Sequence, residues 1–141
     1  MLGLNLLVSF VVMYLVMFSM IDGPPDFFNN LNMAYMALTM VAPMAILMIL
    51  TMPSMYPSRA ANLALLGGFA AVFVLAFLGI RQQVGIGDSQ FLRSMIPHHS
   101  GAILMCRQAK LQDAEIRELC QQIIQSQRRE IGQMKQILER K

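Results

Sequence analysis

The two histidines of the chain are adjacent, in the run Met95-Ile96-Pro97-His98-His99-Ser100-Gly101-Ala102-Ile103-Leu104-Met105-Cys106. Neighbours on an α-helix point about 100° apart, so the two rings do not close on one ion unless Pro97 distorts the turn. Each ring needs partners a turn away. Met95 precedes His98 by three residues and His99 by four, while Met105 follows His98 by seven and Cys106 follows His99 by seven, so both faces carry a soft donor at helical spacing. Thioether with imidazole suits Cu(I), or Ag(I) as its surrogate; zinc would favour more thiolate, and calcium or magnesium would want carboxylates. Read without a metal, Met95 and Met105 are core residues and the histidines are satisfied polar groups.

Farther along, Gln127 and Glu130 fall where a hairpin brings them towards this run, placed to hydrogen-bond a ligating imidazole and hold its orientation. The plain alternative is a polar bundle residue and a solvated glutamate. Cys106 and Cys120 read as a disulfide, as auxiliary soft ligands or as small buried residues. A turn near Lys110 to Asp113 sets Cys106 nearer Arg117 and Cys120 nearer Ile103, roughly one turn out of register for a disulfide.

A second constellation is made of methionine. Met33, Met36, Met40, Met44, Met48, Met52 and Met55 fall within an arc of roughly 160° over roughly 33 Å of helix axis. Met13, Met17 and Met20 share an arc of roughly 60° on the preceding helix and lie at the end joined to it, where they could face Met33, Met36 and Met40. Such a stripe can pass a soft ion across a bilayer, or it can be adaptable packing.

The elements that carry these residues follow from composition. Of 141 residues, 56% are hydrophobic and 13% charged, with 14 Met, two Cys and no Trp, and a mean hydropathy of +0.53. This is neither an ordinary soluble domain nor a disulfide-rich secreted scaffold. Only Asp22, Asp26 and Arg59 are charged among residues 1–80. Residues 2–21, 31–52 and 61–80 are uncharged runs, each long enough to span a hydrocarbon core of roughly 30 Å. The first run lacks a basic start and a small-x-small end, so it reads as a retained helix. Pro43 loosens the second helix, and Ala60, Ala64 and Gly68, with Gly67 and Ala71, give the third a small-residue spacing for close packing. Short connections at Asp22-Gly23-Pro24-Pro25-Asp26 and Pro53-Ser54-Met55-Tyr56-Pro57-Ser58-Arg59 make neighbouring helices antiparallel. The chain thus reads as all-α, with a three-helix transmembrane anchor over residues 1–80 and a helical hairpin domain over 81–141. In the hairpin, Asp88 or Ser89 caps a helix running to about Ala109, and Asp113 caps a second. On that second helix Ile116, Cys120, Ile123, Gln127, Ile131, Met134 and Leu138 form a stripe that two helices alone cannot cover, so a homo-oligomer completing a four-helix bundle, or the membrane part, is expected to meet it.

Phe91-Leu92-Arg93-Ser94-Met95-Ile96-Pro97-His98-His99, then Ala102 and Met105, then Ile123-Ile124-x-x-Gln127-x-x-Glu130-Ile131-x-x-Met134, resembles the DUF305 domain over about residues 88–138. Tyr35-Met36-Ala37-Leu38, and Met55-Tyr56 through Asn62-Leu63-Ala64, resemble the membrane-anchored branch of that family. The resemblance implies a ferritin-like half-bundle and copper binding, carried over most directly to Met95, His98 and His99, and less directly to Met105 and Met134. It also implies a bacterial-type inner membrane, with the N-terminus cytoplasmic and the C-terminal domain periplasmic.

The expected function is therefore a membrane-anchored Cu(I)/Ag(I)-binding protein for tolerance, storage or delivery, working with a copper-transport or copper-acceptor protein. The alternatives are a copper-conducting oligomer that uses the second-helix methionines and a metal-free interaction module. An enzyme is not expected, because no nucleophile-base set, phosphate loop or di-iron Glu plus Glu-x-x-His pattern is present. No organic cofactor is implied. The tail carries 10 Lys and Arg against 6 Asp and Glu, a surplus of four, with the signs interspersed along helices, so nucleic acid is not an expected partner.

Overall fold

The computed structural model describes residues 2–52 and 58–141. The described residues are helical and connecting segments, with no strand among them. Helix α1 spans Leu2–Val16, α2 Leu31–Thr51, α3 Arg59–Gln82, α4 Asp88–Gln108 and α5 Ala114–Glu139; 3-10 turns occupy Met17–Met20 and Pro24–Asp26. Three helical stretches, Leu2–Met20, Leu31–Thr51 and Arg59–Gln82, are long and apolar enough to cross a membrane. Two compact units result, one of residues 1–17 and 31–85, the other of residues 18–30 and 86–141.

In the first unit α2 is central, with α1 and α3 packed on it. Leu6 of α1 meets Val41 and Ala45 of α2, and Met13, Met44 and Met48 close around them. Pro43 lies inside α2, yet the helix runs on to Thr51. Between α2 and α3 the close contact is Tyr35 over Gly79, where an added Cβ would sit 3.0 Å from the ring. The Tyr35 hydroxyl donates to the Val84 carbonyl at 2.9 Å, and the Asn32 and Gln83 amides exchange hydrogen bonds at 3.1 and 3.2 Å. The small residues expected to mediate packing do not do so: Ala60, Ala64, Gly67, Gly68 and Ala71 are all exposed, and Ala76 and Gly79 are the buried pair of α3. Spacing alone does not distinguish the two sets. The tyrosine ring that fills the space over Gly79 does.

The second unit is the α4–α5 hairpin and the segment Phe18–Asn30 that packs on it. Asp113 caps α5, its carboxylate accepting from the Glu115 and Ile116 amides at 2.8 and 3.1 Å. Asp88 is not a cap: Gly87 holds that position without a side-chain bond, and Asp88 in the first turn pairs with Lys141. That hydrogen bond and the Lys141 charge hold the Asp88 carboxyl below its usual range. Leu92, Ile96, Ile103, Ile131 and Met134 form the hairpin core, with Phe28 of the first connection packed against it.

Phe18–Asn30 covers part of the surface that two helices leave open. Phe18 and Phe27 pack with centroids 4.2 Å apart and their planes tilted by 43°. Ser100, fully buried, accepts from the Asp22 amide at 2.8 Å and donates to Asp26 Oδ2 at 2.6 Å. Arg107 donates to both Asp22 carboxylate oxygens at 2.8 Å, and Lys135 Nζ meets Asp26 Oδ1 at 2.6 Å. Gly101 lets the Met20 carbonyl approach; an added Cβ would lie 3.3 Å from it. Serine, glycine and two ion pairs thus fasten the connection as a strap.

Candidate metal centre

Pro97 is accommodated inside α4, which stays helical from Asp88 to Gln108, so the two histidines diverge as ordinary helical neighbours. His99 is buried at 8% exposure and turns towards α5, whereas His98 is exposed. Their ring centroids are 6.1 Å apart, with planes at 63°. His99 Nδ1 lies 2.9 Å from the Met95 carbonyl and Nε2 lies 2.8 Å from Glu130 Oε2. Carbonyl and carboxylate both accept, so in this contact both ring nitrogens donate, Nδ1–H to the Met95 carbonyl and Nε2–H to Glu130 on α5. Donation of one ring N–H to a backbone carbonyl is also how metal-ligating imidazoles are commonly held, with the other nitrogen free to coordinate.

Thioethers flank this contact on both helices. Met95, one turn before His99, packs against the hairpin core, and Met134, one turn beyond Glu130, is part of that core at 9% exposure. Gln127 is half-buried one turn before Glu130. The α4–α5 seam therefore carries Met95, His99, Glu130 and Met134, a soft donor set of two thioethers and one imidazole beside a carboxylate whose side chain is 49% exposed. The donor types fit a soft monovalent ion, provided that Nε2 gives up its hydrogen and exchanges Glu130 for the ion. His98 and Met105 do not join this set. They lie seven residues apart on the outward side of α4, where Met105 is 55% exposed. Among the described residues no group of three or more His, Cys, Asp or Glu comes together, so a harder cation finds no carboxylate cage.

Cys106 and Cys120 are joined, S–S 2.12 Å with Cα atoms 5.3 Å apart. In this state they are not auxiliary ligands, because bonded sulfurs offer no thiolate. The register differs from the simple turn because Ala109 and Asp113 are extended. The longer loop sets Cys106 opposite Cys120, as His99 stands opposite Glu130.

The membrane methionines do not line an enclosed route within one chain. Met36, Met40 and Met52 are 44 to 48% exposed, Met33 is half-buried, and Met44 and Met48 pack with Met13 against the first unit's core. On the first helix the stripe breaks, since α1 ends at Val16 and Met17 and Met20 sit in a 3-10 turn of different pitch. Met55 lies outside the described residues. Sequence reasoning missed Ser100, Asp22 and Asp26; the available signal was that the only two acids of the apolar part share one loop while the surplus of bases lies in the tail.

A family model described as "Domain of unknown function (DUF305)" matches residues 80–138. An uncharacterized protein of Acanthamoeba polyphaga mimivirus is 33% identical over 139 residues, covering 96% of this chain and 90% of the relative. No solved structure matches.

Proposed function

The chain belongs to the DUF305 family, and from that membership and the donors on the α4–α5 seam we propose that it is a membrane-anchored binder of Cu(I), with Ag(I) as surrogate, serving tolerance, storage or delivery. The observation that carries this reading is the setting of His99: Nδ1 is fixed on the Met95 carbonyl, Nε2 faces α5, and a thioether lies one turn away on each helix. His99 Nε2 with the Met95 and Met134 sulfurs holds the ion; Glu130 keeps the nitrogen oriented until the ion arrives, and the Nε2 proton leaves as the ion binds. His98 and Met105, facing outward, present a second imidazole and thioether to another copy of the chain or to a copper-transport or copper-acceptor protein.

Residues 18–30 follow one apolar helix and residues 86–141 follow three, which puts both on the same side of a bilayer. Their packing into one unit supports three crossings. The disulfide supports an oxidising compartment for that side, with the N-terminus cytoplasmic and the hairpin periplasmic in a bacterial-type inner membrane. Transport along α2 would need an oligomer to enclose Met36 and Met40, which are exposed in the single chain.

The test is competition of the full-length protein in detergent against a chromophoric Cu(I) chelator. Native protein should bind Cu(I). His99→Ala should lose that binding, and Met95→Leu/Met134→Leu should weaken it by at least about tenfold, roughly the worth of one lost contact of 1.4 kcal/mol. Native affinity in His99→Ala would overturn the seam site. Absence of binding by the native, folded protein would leave the metal-free interaction module.

A further inference from the structure

We infer that the Cys106–Cys120 disulfide is a redox gate over a second soft-metal site, in which the two thiolates hold Cu(I) once a dithiol reductant has opened the bond. The choice of Cu(I) as occupant rests on the reading above, whereas the opening of the bond does not. Three observations lead here. First, the disulfide stands where the hairpin has little else to hold it: the buried residues of α5 are Ile131 and Met134, and every position from Ala114 to Leu119 is exposed, Ile116 and Leu119 to about half. The cross-link, with the Asp113 cap, takes the place of an apolar core at this end. Second, both cysteines are half-buried, and they border an open cleft of about 240 Å³ lined also by Ala109, Leu111, Arg117 and Gln121, so a reductant has access. Third, Arg117 lies one turn before Cys120 in that cleft, a cation that favours the thiolate form of a nearby sulfur.

The step balances. The two thiols of the reductant become its own disulfide, and two electrons and two protons pass to Cys106 and Cys120. Coordination of Cu(I) then displaces the two protons from the resulting thiols, leaving both sulfurs bound as thiolates. With their Cα atoms 5.3 Å apart on facing helices, the sulfurs can separate around an ion by side-chain rotation, and two soft thiolates suit Cu(I) better than any harder cation. Met105 is adjacent in sequence and exposed, so another soft donor stands beside the gate without being required by it.

The experiment uses the full-length protein in detergent. Treatment with a dithiol under native conditions, followed by anaerobic desalting, should yield two titratable thiols per chain, and a bond that opens only in denaturant overturns the gate. Reduced protein should then take up an additional Cu(I) per chain over oxidised protein, with thiolate-to-copper absorption in the ultraviolet. That increment should persist in His99→Ala, which removes only the seam site, and vanish in Cys106→Ser/Cys120→Ser. Equal stoichiometry in the two redox states, or an increment retained in the serine variant, overturns the proposal. An increment without basal binding would instead defeat the seam reading and leave the gate standing. Hydrogen exchange of residues 109–122 is the control for folding: protection lost there on reduction, with protection of the Leu92–Ile131 core retained, is the expected pattern, and global loss overturns the gate.

Discussion

Ser100 joins the strap to the hairpin through one hydroxyl, which accepts from the Asp22 amide and donates to Asp26. Its complete burial makes those two partners expensive to leave unpaired. Ser100→Ala should therefore destabilise the protein by about 1–3 kcal/mol, read by denaturant or thermal unfolding in detergent, while Ser126→Ala, whose hydroxyl returns to its own helix at Ile123, should cost much less. At this scale the sequence was legible in type and partly in place. That Met95 and His99 lie on one face of α4 was visible because residues four apart share a helix face. The division of His98 and Met105 from His99 and Met134 was not, because periodicity defines faces but does not say which one a partner covers. Ser100 was invisible for a related reason: a serine beside a histidine pair looks like a solvated hydroxyl until the loop that buries it is in view.

Among the elements, the apolar helices were legible by length and lack of charge, and their observed ends lie within a few residues of the expected ones. Their packing was less so. Any small-x-x-x-small series predicts close approach, but the contact that forms is the one opposite a large ring, Tyr35 on Gly79. Gly79→Ala should cost about 1–3 kcal/mol by overpacking, more than the roughly 1 kcal/mol that alanine gains over glycine within a helix. The Tyr35 ring cannot simply swing away, since its hydroxyl is tied to Val84. In a Tyr35→Ala background the same change should become neutral or stabilising, and a double-mutant cycle of unfolding free energies checks the coupling. The hairpin register shows the limit of reasoning from turn length: extended backbone at Ala109 and Asp113 shifted every facing pair and turned a disfavoured disulfide into a formed one.

For the whole molecule, the main addition to the sequence reading is that the hairpin is not a free-standing tail. The stripe on α4 and α5 needed a cover, and residues 18–30 provide part of it through Phe28, Ser100 and the Asp22 and Asp26 ion pairs. A fragment of residues 86–141 alone should therefore be less cooperative in unfolding than the same region in the full chain, and should bind an apolar dye that the intact protein excludes. Supplying residues 18–30 as a peptide should reduce the dye signal, and a peptide with Asp22→Asn and Asp26→Asn should not. A fragment as sharply folded as the parent would show that the strap is dispensable.

The strap also fixes an order of events. Asp22 meets Ser100 across 78 residues and Asp26 meets Lys135 across 109, so a segment made early waits for partners made later. At about 5–20 residues per second of synthesis, that wait is roughly 4–20 s. During it, two carboxylates and the ring of Phe28 stand without their cover on the hairpin while α2 and α3 are still being made. Truncation anywhere before α4 leaves the segment in that state permanently. The strap is thus open to a protease or holdase until α4 and α5 arrive to close it.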